Sequence, residues 1–60
     1  GGDRDLDYLN RGLLLQGLGR HQAAIADFEE ALRRKPDWKL AQVALEISQR
    51  ARSRDARRTP

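Results

Sequence analysis

The sequence predicts an all-α fold: a tight antiparallel helical hairpin followed by a third packed helix. Three observations predict it. Apolar side chains recur at steps of three and four along three separate stretches. Glycines and a proline stand where each stretch has to stop. No β-branched alternation and no Asn-Gly hairpin signal occurs anywhere. The connections are only a few residues long, which makes consecutive helices antiparallel neighbours.

The first helix is predicted over residues 3–18. Leu6, Leu9, Leu13, Leu14 and Leu18 share one broad face. Asp3, Asp5 and Asp7 crowd its start, where carboxylates cap free N–H groups and meet the positive end of the helix dipole. Gly17 and Gly19 stop it. The second helix runs from about Gln22 to Arg34, with Ala24, Phe28 and Ala31 in one stripe and Ile25 and Leu32 beside it. Asp27, Glu29 and Glu30 are expected to face water. Arg33, Arg34 and Lys35 suit the C-terminal end of the dipole, and Pro36, which lacks an N–H, closes the helix. Asp37 is the expected N-cap of a third helix from about Trp38 to Arg52. Four segments follow: a tail or cleavage remnant at 1–4, the hairpin at 5–36, the third helix at 37–53, and a loose basic tail at 54–60.

Composition narrows the function. A 60-residue chain buries only about 60% of the surface that its unfolded form exposes, so its stability is marginal. With no cysteine and a single histidine, neither a disulfide nor a metal can support it, and helix packing and association remain. No cofactor is called for. Cysteine-free composition fits a reducing compartment, hence a cytoplasmic location, and no apolar run approaches the roughly 20 residues that span a bilayer. Gly1-Gly2 and the lack of methionine read as a piece of a longer protein. The net charge of +3 is uneven: residues 1–49 hold seven basic and eight acidic side chains, whereas 50–60 hold five arginines against Asp55.

The spacing of particular residues is similar to that of the tetratricopeptide-repeat family. With Pro36 as the closing proline, Tyr8, Gly12, Leu15, Gly19, Ala24, Phe28 and Ala31 each stand at the family's offset. The stretch GLGRHQAAIADFEEALRRKPD carries the likeness, which covers residues 5–38. Two positions depart from it: Arg11 replaces a leucine and His21 an aromatic. The resemblance implies a single repeat plus a capping or next-repeat helix. It also implies a binding function, for a protein or peptide, and no enzymatic one. Independently of any family, Gly12 and Ala24 are small where two helices would cross, and Tyr8 and Phe28 are large where a gap would remain.

The resemblance also implies a candidate peptide groove at Leu9, Asn10, Leu13 and Gln16, though one repeat makes a short groove, and Leu9 and Leu13 replace polar carboxylate-clamp positions. His21 lies in the turn with no nucleophile nearby in the chain, so a ring packed at the turn is the expectation, not catalysis. Arg50, Arg52, Arg54, Arg57 and Arg58 offer phosphate contacts, but no aromatic accompanies them to stack on a base; a solvated end ranks above nucleic-acid binding.

The third helix is the most informative. Trp38, Ala41 and Leu45 make one stripe suited to the hairpin, while Leu40, Val43, Ala44, Ile47 and Ala51 make a second on a different side. Burying a Leu, Val or Ile side chain stabilises by roughly 1.5–3 kcal/mol, so the second stripe is expected to be an interface. The expected function is protein–protein interaction, with self-association or docking to adjacent repeats through Trp38, Leu40, Val43, Ala44 and Ile47, and a homo-oligomer as the isolated chain. The alternatives are an isolated peptide groove, a regulatory appendage of an enzyme encoded elsewhere in a longer chain, and a nucleic-acid adaptor acting through the arginines.

Overall fold

A computed structural model describes residues 4–58, with side chains to Arg54. It consists of α1 (Arg4–Gly17), α2 (His21–Arg34) and α3 (Lys39–Arg58). Among the described residues there is no strand. The sequence-derived elements agree in number, order and type. α2 is the common partner: it packs along both α1 and α3, whereas α1 and α3 meet only along a narrow seam.

The turn between α1 and α2 follows from Gly19. Its φ of 83° lies in the left-handed region, which glycine enters without a Cβ clash. That geometry lets the Gly19 N–H reach the Gln16 carbonyl at 3.1 Å and the Arg20 N–H reach Leu15 at 2.8 Å, a Schellman closure of α1. α2 ends as expected before Pro36, its last bond running from the Lys35 N–H to the Ala31 carbonyl at 2.9 Å. The cap of α3 falls one residue later than expected. Trp38, not Asp37, precedes the first helical residue, and its carbonyl accepts from the Gln42 N–H at 3.0 Å. The Gln42 side-chain amide also donates to the Pro36 carbonyl at 2.8 Å, fastening the turn to the first turn of α3.

The core is one cluster of Leu9, Ala24, Phe28, Ala31, Ala41 and Ala44, with Tyr8, Leu15, Leu32, Trp38 and Leu45 packed around it. Phe28 fills the crossing of α1 and α2 opposite Gly12. A Cβ placed on Gly12 would lie 2.5 Å from Phe28 Cε1, so only glycine fits against that ring. Small-against-large pairing at the hairpin is therefore as the sequence predicts.

Three expectations are corrected. Asp27 does not face water: it is 6% exposed. Ala44 is 4% exposed and belongs to the hairpin core, so it cannot form part of an outward stripe. Finally, α3 does not stop near Arg52 but continues to Arg58. From Gln49 to Arg58 the chain has neither glycine nor proline to break it and is rich in Ala and Arg, both good helix formers. Thr59 and Pro60, and residues 1–3, lie outside the described residues.

Candidate protein-binding surface

Gln16 organises the seam between α1 and α3. Its side-chain amide donates to the Ala44 carbonyl at 2.9 Å and to Ser48 Oγ at 2.8 Å. Ser48 is fully buried, and this bond satisfies a hydroxyl that would otherwise be stranded among alanines. Around α1, Gly12 faces α2, Leu9 and Gln16 come next, and Leu6 and Leu13 follow on the far side. Around α3, Ala41 and Leu45 are followed by Ala44 and Ser48, and then by Leu40 and Ile47 with Val43 beyond. Both progressions step away from α2. Leu6 and Leu13 therefore flank one side of the seam and Leu40, Val43 and Ile47 the other, on the face opposite α2. All five are large and exposed, the three on α3 by 54%, 48% and 51%. The opposite edge of α3 is polar, with Gln42, Glu46 and Gln49 in water.

The candidate residues fall into different places. Leu40, Val43 and Ile47 come together as one outward strip. Trp38 is half-buried against the core, with Lys35 Nζ 5.2 Å from its ring centroid, and so stands apart from that strip. Of the expected groove, Leu9 is 2% exposed and already packed in the core. Gln16 is bound to α3, while Asn10 and Leu13 remain accessible. A groove built on Leu9 and Gln16 is thus covered by α3 itself. Among the arginines, Arg50 pairs with Glu46 at 3.2 Å, and Arg52 and Arg54 are exposed. The Arg57 and Arg58 side chains lie outside the described residues. Arg50 and Arg54, one turn apart, border a shallow depression of about 230 Å³ together with Ile47 and Ala51. No group of three or more metal-ligating side chains converges among the described residues.

Sequence reasoning missed one polar element. Arg11 holds Asp27 in a bidentate pair, Nε to Oδ2 at 2.8 Å and Nη2 to Oδ1 at 2.9 Å. The hydrogen bonds first, and the carboxylate charge second, raise the proton affinity of the guanidinium above its already high ordinary value. The Tyr8 ring is approached by this guanidinium and by that of Arg34, whose Cζ atoms are 5.7 and 5.3 Å from the ring centroid. The departure at Arg11 is therefore compensated by Asp27. The signal was available: Asp27 sits three residues after Ala24 and four before Ala31, on the buried stripe itself.

The family model of the tetratricopeptide repeat matches residues 7–37. That span runs from the first turn of α1 through the closing Pro36, and the three helices fit one repeat and an extra helix. The chain belongs to the tetratricopeptide-repeat family. Membership supports a general role as a protein–protein interaction module. Comparison with curated proteins and with solved structures gave no match. No helix among the described residues is long and apolar enough to cross a membrane.

Proposed function

We propose that this tetratricopeptide-repeat chain binds protein through the apolar strip of Leu40, Val43 and Ile47, extended across the seam by Leu6 and Leu13. We further propose that the isolated chain covers this strip with a second copy. The observation that carries the reading is that three large aliphatic side chains at helical spacing on α3 are each about half exposed. A chain this small has little stability to spare, and wet aliphatic rows on it favour association. A twin around a two-fold axis would cover like with like.

Docking to a following repeat uses a different side. Such a repeat would cover the edge of α3 that carries Gln42, Glu46 and Gln49, which are exposed and polar, and two of which already have partners in Pro36 and Arg50. The strip is then left for a partner. Sedimentation over a dilution series tests the proposal. The expected result is a mass above the 6.8 kDa of one chain at high micromolar concentration, reverting to one chain in Val43→Glu and in Ile47→Glu but not in Gln42→Glu. A helical monomer at every concentration would overturn self-association. Protein binding unaffected by Val43→Glu would overturn the strip as the working surface.

A further inference from the structure

The strip is bordered by cations. Lys39 lies beside Val43 on the α3 surface, and Arg50 and Arg54 continue the same side of the helix beyond Ile47. All three are exposed. Glu46, where the polar edge of α3 meets this side, offsets part of the Arg50 charge through an exposed pair at 3.2 Å, and Lys39 and Arg54 keep the border cationic. At the Arg50–Arg54 end, Ile47 and Ala51 form the floor of a depression whose rim is the two guanidinium-bearing residues. Apolar floor and cationic rim therefore occur together.

A second copy matches the floor but not the rim. Laid antiparallel along the strip, it sets Lys39 of one chain near Arg50 of the other; laid parallel, it sets Arg50 near Arg50. Each arrangement brings like charges together between chains of net charge +3. A nucleic acid matches the rim but not the floor, since its phosphates gain nothing from Leu40, Val43 and Ile47 and no exposed aromatic on this face offers a stacking platform. We infer that the strip's better occupant is an acidic amphipathic segment of another protein, with aliphatic side chains on Leu40, Val43 and Ile47 and carboxylates on Arg50 and Arg54. This inference rests on the strip being the working surface. The homodimer is then a substitute that an acidic partner displaces, and salt strengthens it by screening the repulsion.

The test uses the full chain and two synthetic peptides of about 15 residues, each with leucines at i, i+3, i+4 and i+7. One peptide carries glutamates beside the leucines and the other glutamines. Binding is followed by fluorescence anisotropy at low and at moderate salt. The expected result is that the glutamate peptide binds about three- to tenfold more tightly at low salt, as two exposed ion pairs imply. Arg50→Gln with Arg54→Gln should bring that ratio to about one without weakening the glutamine peptide, and Val43→Glu should abolish binding of both. Equal affinity for the two peptides, or binding of neither, would overturn the acidic partner. Unchanged binding in Val43→Glu would instead place the failure in the strip itself. A single-stranded oligonucleotide that binds through Arg50 and Arg54 more tightly than the glutamate peptide, and equally well in Val43→Glu, would assign the cations to nucleic acid and likewise overturn the proposal.

Discussion

The two seams of this molecule are built in opposite ways. Between α1 and α2 a large ring, Phe28, is pressed against a position with no side chain, Gly12, and the gap is closed by shape alone. Between α3 and the hairpin the buried residues are Ala41, Ala44 and Ser48, all small, and the one specific contact is polar, from Gln16. The first seam fixes the geometry of the hairpin through bulk, which tolerates little change. The second lets α3 approach closely and sets its position by hydrogen bonds to one glutamine. Close approach by small residues buries little apolar area per contact; Trp38 and Leu45 pack partly against the core, while Leu40, Val43 and Ile47 stay outside. The surface that serves as a binding strip is thus a consequence of how the second seam is made.

The comparison breaks most sharply at the first seam. Phe28→Ala removes the largest fully buried side chain and should cost about 3–5 kcal/mol, enough to unfold a chain of this size. Gly12→Ala approaches the same contact from the other side. Its Cβ would lie within 3.0 Å of three ring atoms, and the overpacking should cost about 1–3 kcal/mol. If the seam works by shape, Gly12→Ala combined with Phe28→Leu should be less damaging than the sum of the two, because the shortened side chain makes room for the methyl. Circular dichroism melts of the four proteins check this. Strict additivity would mean that the ring and the glycine are not coupled.

How much of this was legible in the sequence follows the same division. The hairpin was readable because its contacts are local in pattern: glycine, alanine and aromatic positions recur at fixed steps, and Gly19 and Pro36 mark the turns. The strip was readable in part. Leu40, Val43 and Ile47 are outward as periodicity predicts, but Ala44 is small enough to suit either side, and only the position of Gln16 shows that it turns inward. Leu9 illustrates the converse. The family resemblance implies a groove there, yet α3 and α2 enclose it, a fact set by how three helices pack and not by any one of them. The length of α3 escaped because arginine-rich ends lack apolar periodicity, although a helix already nucleated by packing propagates through Ala and Arg where no breaker intervenes.

Arg11 and Asp27 sharpen the comparison by placing a polar device at the shape-driven seam. Asp27 is buried while the Arg11 side chain is 63% exposed, so the two partners are unequal. Arg11→Met should lower the melting temperature chiefly by leaving a buried carboxylate unpaired. Adding Asp27→Leu should recover part of that loss, since it removes the stranded group. If the double variant melts below Arg11→Met, the pair contributes more than mutual neutralisation and holds the crossing in place.

The smallest effect is expected at the second seam, and its size is informative because it is small. Ser48→Ala removes one acceptor of the Gln16 amide but leaves the Ala44 carbonyl at 2.9 Å, so the amide keeps a partner. The lost hydrogen bond should cost about 0.5–1.5 kcal/mol. Gln16→Leu is different: it leaves the Ser48 hydroxyl buried without its donor and should cost about 1–3 kcal/mol, the desolvation penalty of an unsatisfied group. Combining Gln16→Leu with Ser48→Ala removes donor and acceptor together and adds an aliphatic side chain at the seam, so the double variant should melt near the parent protein. Retained stability alone would say that the polar contact is dispensable for folding. Its role in setting register is read separately, from whether the double variant still associates through Val43 and Ile47 at the parent's concentration. Parent-like melting with weakened association would mean that Gln16 positions the strip, whereas parent-like behaviour in both would mean that apolar packing of Ala41, Ala44, Leu45 and Trp38 sets where α3 sits.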